Sequence, residues 1–366
     1  MTTETQDPIT TNGLYKYDSV IGLLSPAGPG FSGPVSVTVG PDGMLYVACR
    51  ANPNQPEGVR VSRCTRDGDF LDQFGTWGEE PGEFIWITDI TFSQSGEIYV
   101  ADENSHRISI FDKERKFSRR FGQQGTAPGE LNRPSGLAFG PNGNLYVVDT
   151  LNHRIQILTP EGEYISEWGC LGETKGKFNM PWGITVDRLG SVYITDWKND
   201  RVQKFDADGK FLMAFGSSGD SHGQFNRPNG IAVDLSGDIY ICDWMNDRVQ
   251  VFDQHGTFID VLIGHAGMSK WARNFLDASP DIEAKLELAA HNIEPKRRFY
   301  RPVSVHVEDD GKVYVADCYR PGPDLPKTRL LRIFNIPNTP IRYPIPAHRI
   351  PRVPPLPVRM YNYLRI

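Results

Sequence analysis

The chain has 366 residues, 39% hydrophobic and 11% aromatic, which is enough for a packed core and too much for global disorder. A formal net charge of −6 sets it apart from general nucleic-acid binders, and no apolar run approaches the roughly 18 residues that a membrane helix needs. Five scattered cysteines without a CxxC pair argue against a disulfide framework or a structural zinc module. With a polar Met1–Thr11 that resembles no signal peptide, they point to the reducing cytoplasm.

In chain order, Leu14–Gly22 is the first strand-like stretch. It precedes a landmark, Gly33-Pro34-Val35-Ser36-Val37, that returns four times. The copies are Arg133-Pro134-Ser135-Gly136-Leu137, Met180-Pro181-Trp182-Gly183-Ile184, Arg227-Pro228-Asn229-Gly230-Ile231 and Arg301-Pro302-Val303-Ser304-Val305. A degenerate copy, Trp86-Ile87-Thr88-Asp89-Ile90, falls after the first. The six are spaced by 53, 47, 47, 47 and 74 residues. Each opens a set of short apolar stretches, and where Gly, Asn and Asp stand at the joints they supply turns that tolerate positive φ. About four strands per period is the pattern of propeller blades rather than of helical repeats. The last set lacks a fourth strand after Leu330–Phe334, so residues 14–22 are expected to complete it and close the ring, removing a sheet edge.

Between the second and third strands the blades repeat Asp102-x4-Arg107, Asp149-Thr150-Leu151-Asn152-His153-Arg154, Asp196-x2-Asn199-Asp200-Arg201 and Asp243-x2-Asn246-Asp247-Arg248. These residues resemble the NHL repeat, over roughly residues 12–335. The resemblance implies an all-β, six-bladed propeller of the kind found in protein-interaction modules, some RNA-binding proteins and a few lyases. The first blade departs from it with Cys49-Arg50, and the sixth with a long loop between Asp317 and Arg329. Because the Asp–Arg pair recurs across the blades, it is expected to hold turns together rather than to catalyse.

The antiparallel order of strands puts three insertions on one face: Arg50–Gly58, Cys318–Lys327 and the largest, residues 265–298. Long loops on one rim usually carry function. Ser269 and Ser279-Pro280 look like helix starts, so residues 266–292 are expected to form two short helices capping that rim, with Trp271, Phe275, Ile282 and Leu286 on the packed side. The same face collects Trp86, Arg133, Trp182, Trp197, Arg227, Asn229, Trp244 and Arg301, a mixture suited to binding. The plainer alternative has the indoles covering hairpin ends and the arginines pairing with local carboxylates.

Asp89 stands where other copies have Ser or Gly, which makes it a candidate base, ligand or anchor, or the partner of a nearby arginine. The peptidyl-hydroxyglycine lyases that the resemblance brings in place zinc-binding histidines after the landmark proline. Here those positions are Val35, Thr88, Ser135, Trp182, Asn229 and Val303, so that ligand set is missing. His222, His265 and His291 are the remaining candidate metal ligands, and no cofactor is expected.

Residues 336–366 hold eight prolines and five arginines with no acidic residue, alongside apolar side chains unsuited to a solvated tail. They are expected to be an extended arm laid on another subunit, whether a copy of this chain or a different protein. The function expected is an interaction scaffold or accessory subunit, with no membrane partner and nucleic acid disfavoured. The alternative is a lyase or hydrolase acting on a small molecule in a capped pocket at the channel mouth.

Overall fold

Short apolar stretches broken by Gly, Asn and Asp turns favour hairpins over helices. The computed structural model describes residues 14–22, 25, 28–52, 55–264, 269–271, 274, 299–317 and 330–335, and it is built almost wholly from strands. Six four-stranded antiparallel sheets form six blades of a propeller. The third is representative: Pro134–Phe139, Leu145–Asp149, Arg154–Leu158 and Tyr164–Trp168, innermost to outermost.

The innermost strands are Pro34–Val39, Ile87–Phe92, Pro134–Phe139, Pro181–Val186, Pro228–Val233 and Pro302–Val307. Each touches the next around the ring, and the sixth touches the first. The sixth sheet draws on both parts of the chain: Lys16–Ile21 pairs antiparallel with Leu330–Asn335, from Lys16 opposite Asn335 to Ile21 opposite Leu331.

Sheets packed face to face bury both sides of their second strands. This is why Leu145–Asp149, Val192–Asp196 and Ile239–Asp243 are buried at every residue and almost continuously apolar. The core lies in the seams; between the third and fourth blades it contains Tyr146, Ile155, Phe178, Ile194 and Phe205. Near the axis the inner strands approach so closely that a Cβ on Gly183 would stand 2.3 Å from the Asn229 carbonyl oxygen. Glycine is therefore required there.

Two insertions differ from the expectation or extend it. The insertion after Arg50 is paired rather than a plain loop, with Leu45–Asn52 and Gln55–Cys64 pairing as far as Asn52 opposite Gln55. Of the expected helical cap, residues 269–271 and 274 are described, and 270, 271 and 274 are helical. Trp271 packs in the seam between the sixth and first blades, 5.3 Å from the Phe31 ring and 6.5 Å from Phe70. The Ser269 hydroxyl donates to the Gly22 carbonyl, and Lys270 pairs with Asp69. Phe275, Ile282, Leu286, the loop 318–327 and the arm 336–366 lie outside the described residues.

Candidate functional site

The repeated Asp–Arg turn supports the residues around it. Asp149 is fully buried: Oδ1 accepts from the Asn132 backbone N–H at 2.6 Å, and Oδ2 accepts from Asn152, Arg154 and Gln156 side chains at 2.8–3.1 Å. Asp196 and Asp243 repeat this with Asn199, Arg201 and Gln203, and with Asn246, Arg248 and Gln250. Arg154 spends its remaining donors on the Thr126, Ala127 and Glu130 carbonyls and on Glu167. Burial raises the pKa of Asp196 and Asp243, while the hydrogen bonds from partner groups pull the other way. With every oxygen engaged, these groups have a structural role. The glutamines were not singled out from sequence, although their recurrence seven residues after each Asp was a visible signal.

One residue of each turn reaches the next blade. His153 Nδ1 accepts the Met180 backbone N–H at 3.0 Å and His106 Nδ1 that of Arg133 at 3.1 Å; Asp200 and Asp247 do the same for Arg227 and Arg301 at 2.8 Å. The four receiving residues all precede the first strand of a blade and have left-handed backbones, with φ of 54°, 54°, 59° and 55° for Arg133, Met180, Arg227 and Arg301. That conformation costs about 1 kcal/mol or more at a non-glycine residue, so the strap from the preceding blade holds it.

This geometry fixes where the candidate binding residues stand. The landmark Pro134, Pro181 and Pro228 pair with Asp149, Asp196 and Asp243, which places the strand entrances and the Asp turns at one end of the propeller. Trp86, Trp182, Trp197 and Trp244 lie there half-buried, Asn229 is buried at 8% exposure, and Arg133 is exposed. Trp182, Trp197 and Trp244 form a stepped row with centroids 6.4 and 6.3 Å apart. The Arg227 guanidinium lies 4.7 Å over the Trp197 ring and Arg301 4.7 Å over Trp244, each stack crossing a seam. Neither guanidinium lies within 4.0 Å of a carboxylate, so the plainer alternative of local pairing does not hold for these two. Between the first and second blades the same positions carry the types exchanged: Arg50 lies 4.8 Å over Trp86 and donates to the Ile87 carbonyl. Sequence reading missed Arg50, and the exchange becomes legible only once the two positions are known to face each other.

Along the axis lies a half-open cavity of about 250 Å³, lined by Ser36, Asp89, Trp182, Asn229 and His306 among others. Asp89 joins three blades rather than pairing with an arginine: Oδ1 accepts from Ser36 Oγ at 2.6 Å and from its neighbour Ile90 N–H, and Oδ2 accepts from Leu137 N–H at 2.8 Å. Burial pushes its pKa up to about 6 against the effect of those bonds. His306 lies near the far end of its strand, its pKa lowered to about 4 by burial and by the Arg66 cation. Of the candidate metal ligands, His222 stacks on Phe258 with centroids 4.2 Å apart, while His265 and His291 lie outside the described residues. Among the described residues no three His, Cys, Asp or Glu side chains are grouped to hold a metal, and no helix is long and apolar enough to cross a membrane.

The NHL repeat matches residues 84–111, 131–158, 178–205 and 225–252. No curated protein matches the sequence. Among solved structures, a catalytically inactive virginiamycin B lyase from Staphylococcus aureus with quinupristin is similar at 15% identity and a TM-score of 0.54, covering 88% of this chain and 99% of that one. A protein of unknown function from Bacteroides thetaiotaomicron is similar at 16% identity and a TM-score of 0.59, covering 87% and 73%. At these identities the likeness is one of fold.

Proposed function

We infer that this chain, an NHL-repeat protein folded as a six-bladed β-propeller, is a docking module that holds another protein against the face where its strands enter. The observation that carries the reading is the row of Trp182, Trp197 and Trp244 with Arg227 and Arg301 stacked on it, half-buried aromatic area beside directed donors. Catalysis finds less support. The carboxylate in the axial cavity has both oxygens engaged by Ser36, Ile90 and Leu137. In this reading Lys16–Ile21 is the latch of the ring, residues 265–298 flank the docking face as a cap, and residues 336–366 are an arm that grips a neighbouring subunit in the cytoplasm.

Lys198 and Met245 are exposed in the Asp turns of the fourth and fifth blades, so charge can be placed on the face without entering the core. A protein that co-purifies with the full chain from its native extract should be lost from a Lys198→Glu/Met245→Glu variant whose melting temperature is unchanged. Retention of the same protein by that variant would remove the face from the account.

A further inference from the structure

The arginines of this face differ from the others in the chain. Arg63, Arg66, Arg119, Arg154, Arg188, Arg201 and Arg248 each form an ion pair with a carboxylate. Arg60, Arg107 and Arg120 donate to backbone carbonyls, and Arg50 and Arg115 combine such a bond with a longer ion pair. Among the arginines whose side chains the structure describes, the guanidinium groups of Arg133, Arg227 and Arg301 take part in no hydrogen bond and no ion pair within 4.0 Å, and all three stand at the same position, immediately before a blade's first proline. Two carboxylates of the same face bond the arginines' backbone rather than their guanidiniums: Asp200 accepts the Arg227 backbone N–H and the Ser218 hydroxyl, and Asp247 accepts the Arg301 backbone N–H.

These donors are also held in place. The left-handed backbone of each arginine is clamped by the preceding blade, and the Arg227 and Arg301 guanidiniums lie over indoles. A planar fork fixed by stacking keeps its N–H edges free for a bidentate acceptor and loses little freedom on binding.

We propose that the face recognises a short acidic peptide segment of its partner, whose Asp or Glu carboxylates engage Arg227 and Arg301 while its apolar side chains lie along Trp182, Trp197 and Trp244. This rests on the docking reading above and names the chemistry of the partner. Charge argues for the choice. The guanidiniums are interspersed with Glu103, Asp200 and Asp247 on a chain of net charge −6, which suits discrete carboxylates better than a continuous polyanion such as RNA. The chain's own residues 336–366 carry five arginines and no acidic residue, so the sign of their charge excludes them as the occupant.

The test is selection of a displayed library of random 16-residue peptides on the full chain, with the selected peptides then titrated by tryptophan fluorescence. Peptides carrying at least two Asp or Glu should be enriched. They should lose about tenfold or more in affinity against Arg227→Gln/Arg301→Gln, recover part of it against the Lys pair, and weaken as salt rises from 50 to 200 mM. Circular dichroism melting of each variant separates lost contacts from lost folding. Peptides that bind the face, as judged by their loss from Lys198→Glu/Met245→Glu, yet carry no acidic residues would overturn the proposal and leave the docking reading standing. Peptides indifferent to every one of these variants, or the enrichment of none, would overturn both. Displacement of the selected peptides by a ten-nucleotide oligouridylate with the same dependence on Arg227 and Arg301 would reassign the site to nucleic acid.

Discussion

Replacing Trp271 by alanine should loosen the seam between the sixth and first blades. The indole keeps 7% of its surface exposed and packs with Phe31, Phe70, Ile21 and Ile333. Removing roughly 170 Å² of buried apolar surface at about 25 cal/mol per Å² costs about 4 kcal/mol, within the range for large-to-small changes at aromatic core residues. At roughly 2 °C per kcal/mol for a domain of this size, the melting temperature should fall by about 8 °C. The loss should also be local: amides of Lys16–Ile21 and Leu330–Asn335, the strands of that seam, should exchange faster than those of Arg154–Leu158 in the third blade. Scanning calorimetry and hydrogen exchange resolved by peptide read both effects. A fall of less than about 2 °C with unchanged exchange at Lys16–Ile21 would refute the reasoning, because Trp271 would then not hold the seam.

Burial lowers the pKa of His106 and His153, with nearby Arg133 and Lys198 adding to the effect, so the unfolded chain binds more protons and stability is lost as pH falls below the unfolded value near 6.5. A His106→Asp/His153→Asp variant, which copies Asp200 and Asp247 of the next blades, should flatten the melting temperature between pH 7 and 5; an unchanged slope counts against the strap. Asp89 behaves oppositely: its raised pKa makes a contribution that is full below the unfolded value near 4 and is lost as pH rises through about 6. Asp89→Asn should therefore remove a decline over that window and cost about 1–3 kcal/mol by leaving one partner unmet, measured by urea melts at pH 4, 5, 6 and 7. Truncation after Pro337 should leave the melting curve unchanged and abolish assembly in size-exclusion chromatography; assembly that survives would remove the arm from it.

The repeat was legible because each blade must solve one local problem: a landmark, a Gly turn and the Asp turn recur in the chain whatever lies beside them. Strands such as Pro134–Phe139 and Pro181–Val186 start at the prolines that marked the period. The structural role of Asp149 and Arg154 was legible for the same reason. Contacts between blades were not, because they join positions in two different repeats, 27 to 54 residues apart, and neither position alone shows its partner. His153 to Met180 and Arg227 over Trp197 belong to this class. Asp89 stood out by its oddity, yet its partners Ser36 and Leu137 come from the blades on either side, so its role as a link between them could not be read from its own repeat. The pairing of Leu45–Asn52 with Gln55–Cys64 reads in sequence as a loop because it runs past the residue at which the second strands of the other blades end.

The docking face is tested most directly by photo-crosslinking in the native cell. A benzophenone side chain at Met245, 42% exposed in the turn that carries Trp244, reports on that face, and one at Asn142, exposed in the turn between the first two strands of the third blade, reports on the opposite end. A partner protein should be captured through position 245 and not through 142, with capture through 245 abolished by Arg227→Gln/Arg301→Gln. Capture through 142 alone, or through 245 undiminished in that variant, would contradict the docking reading.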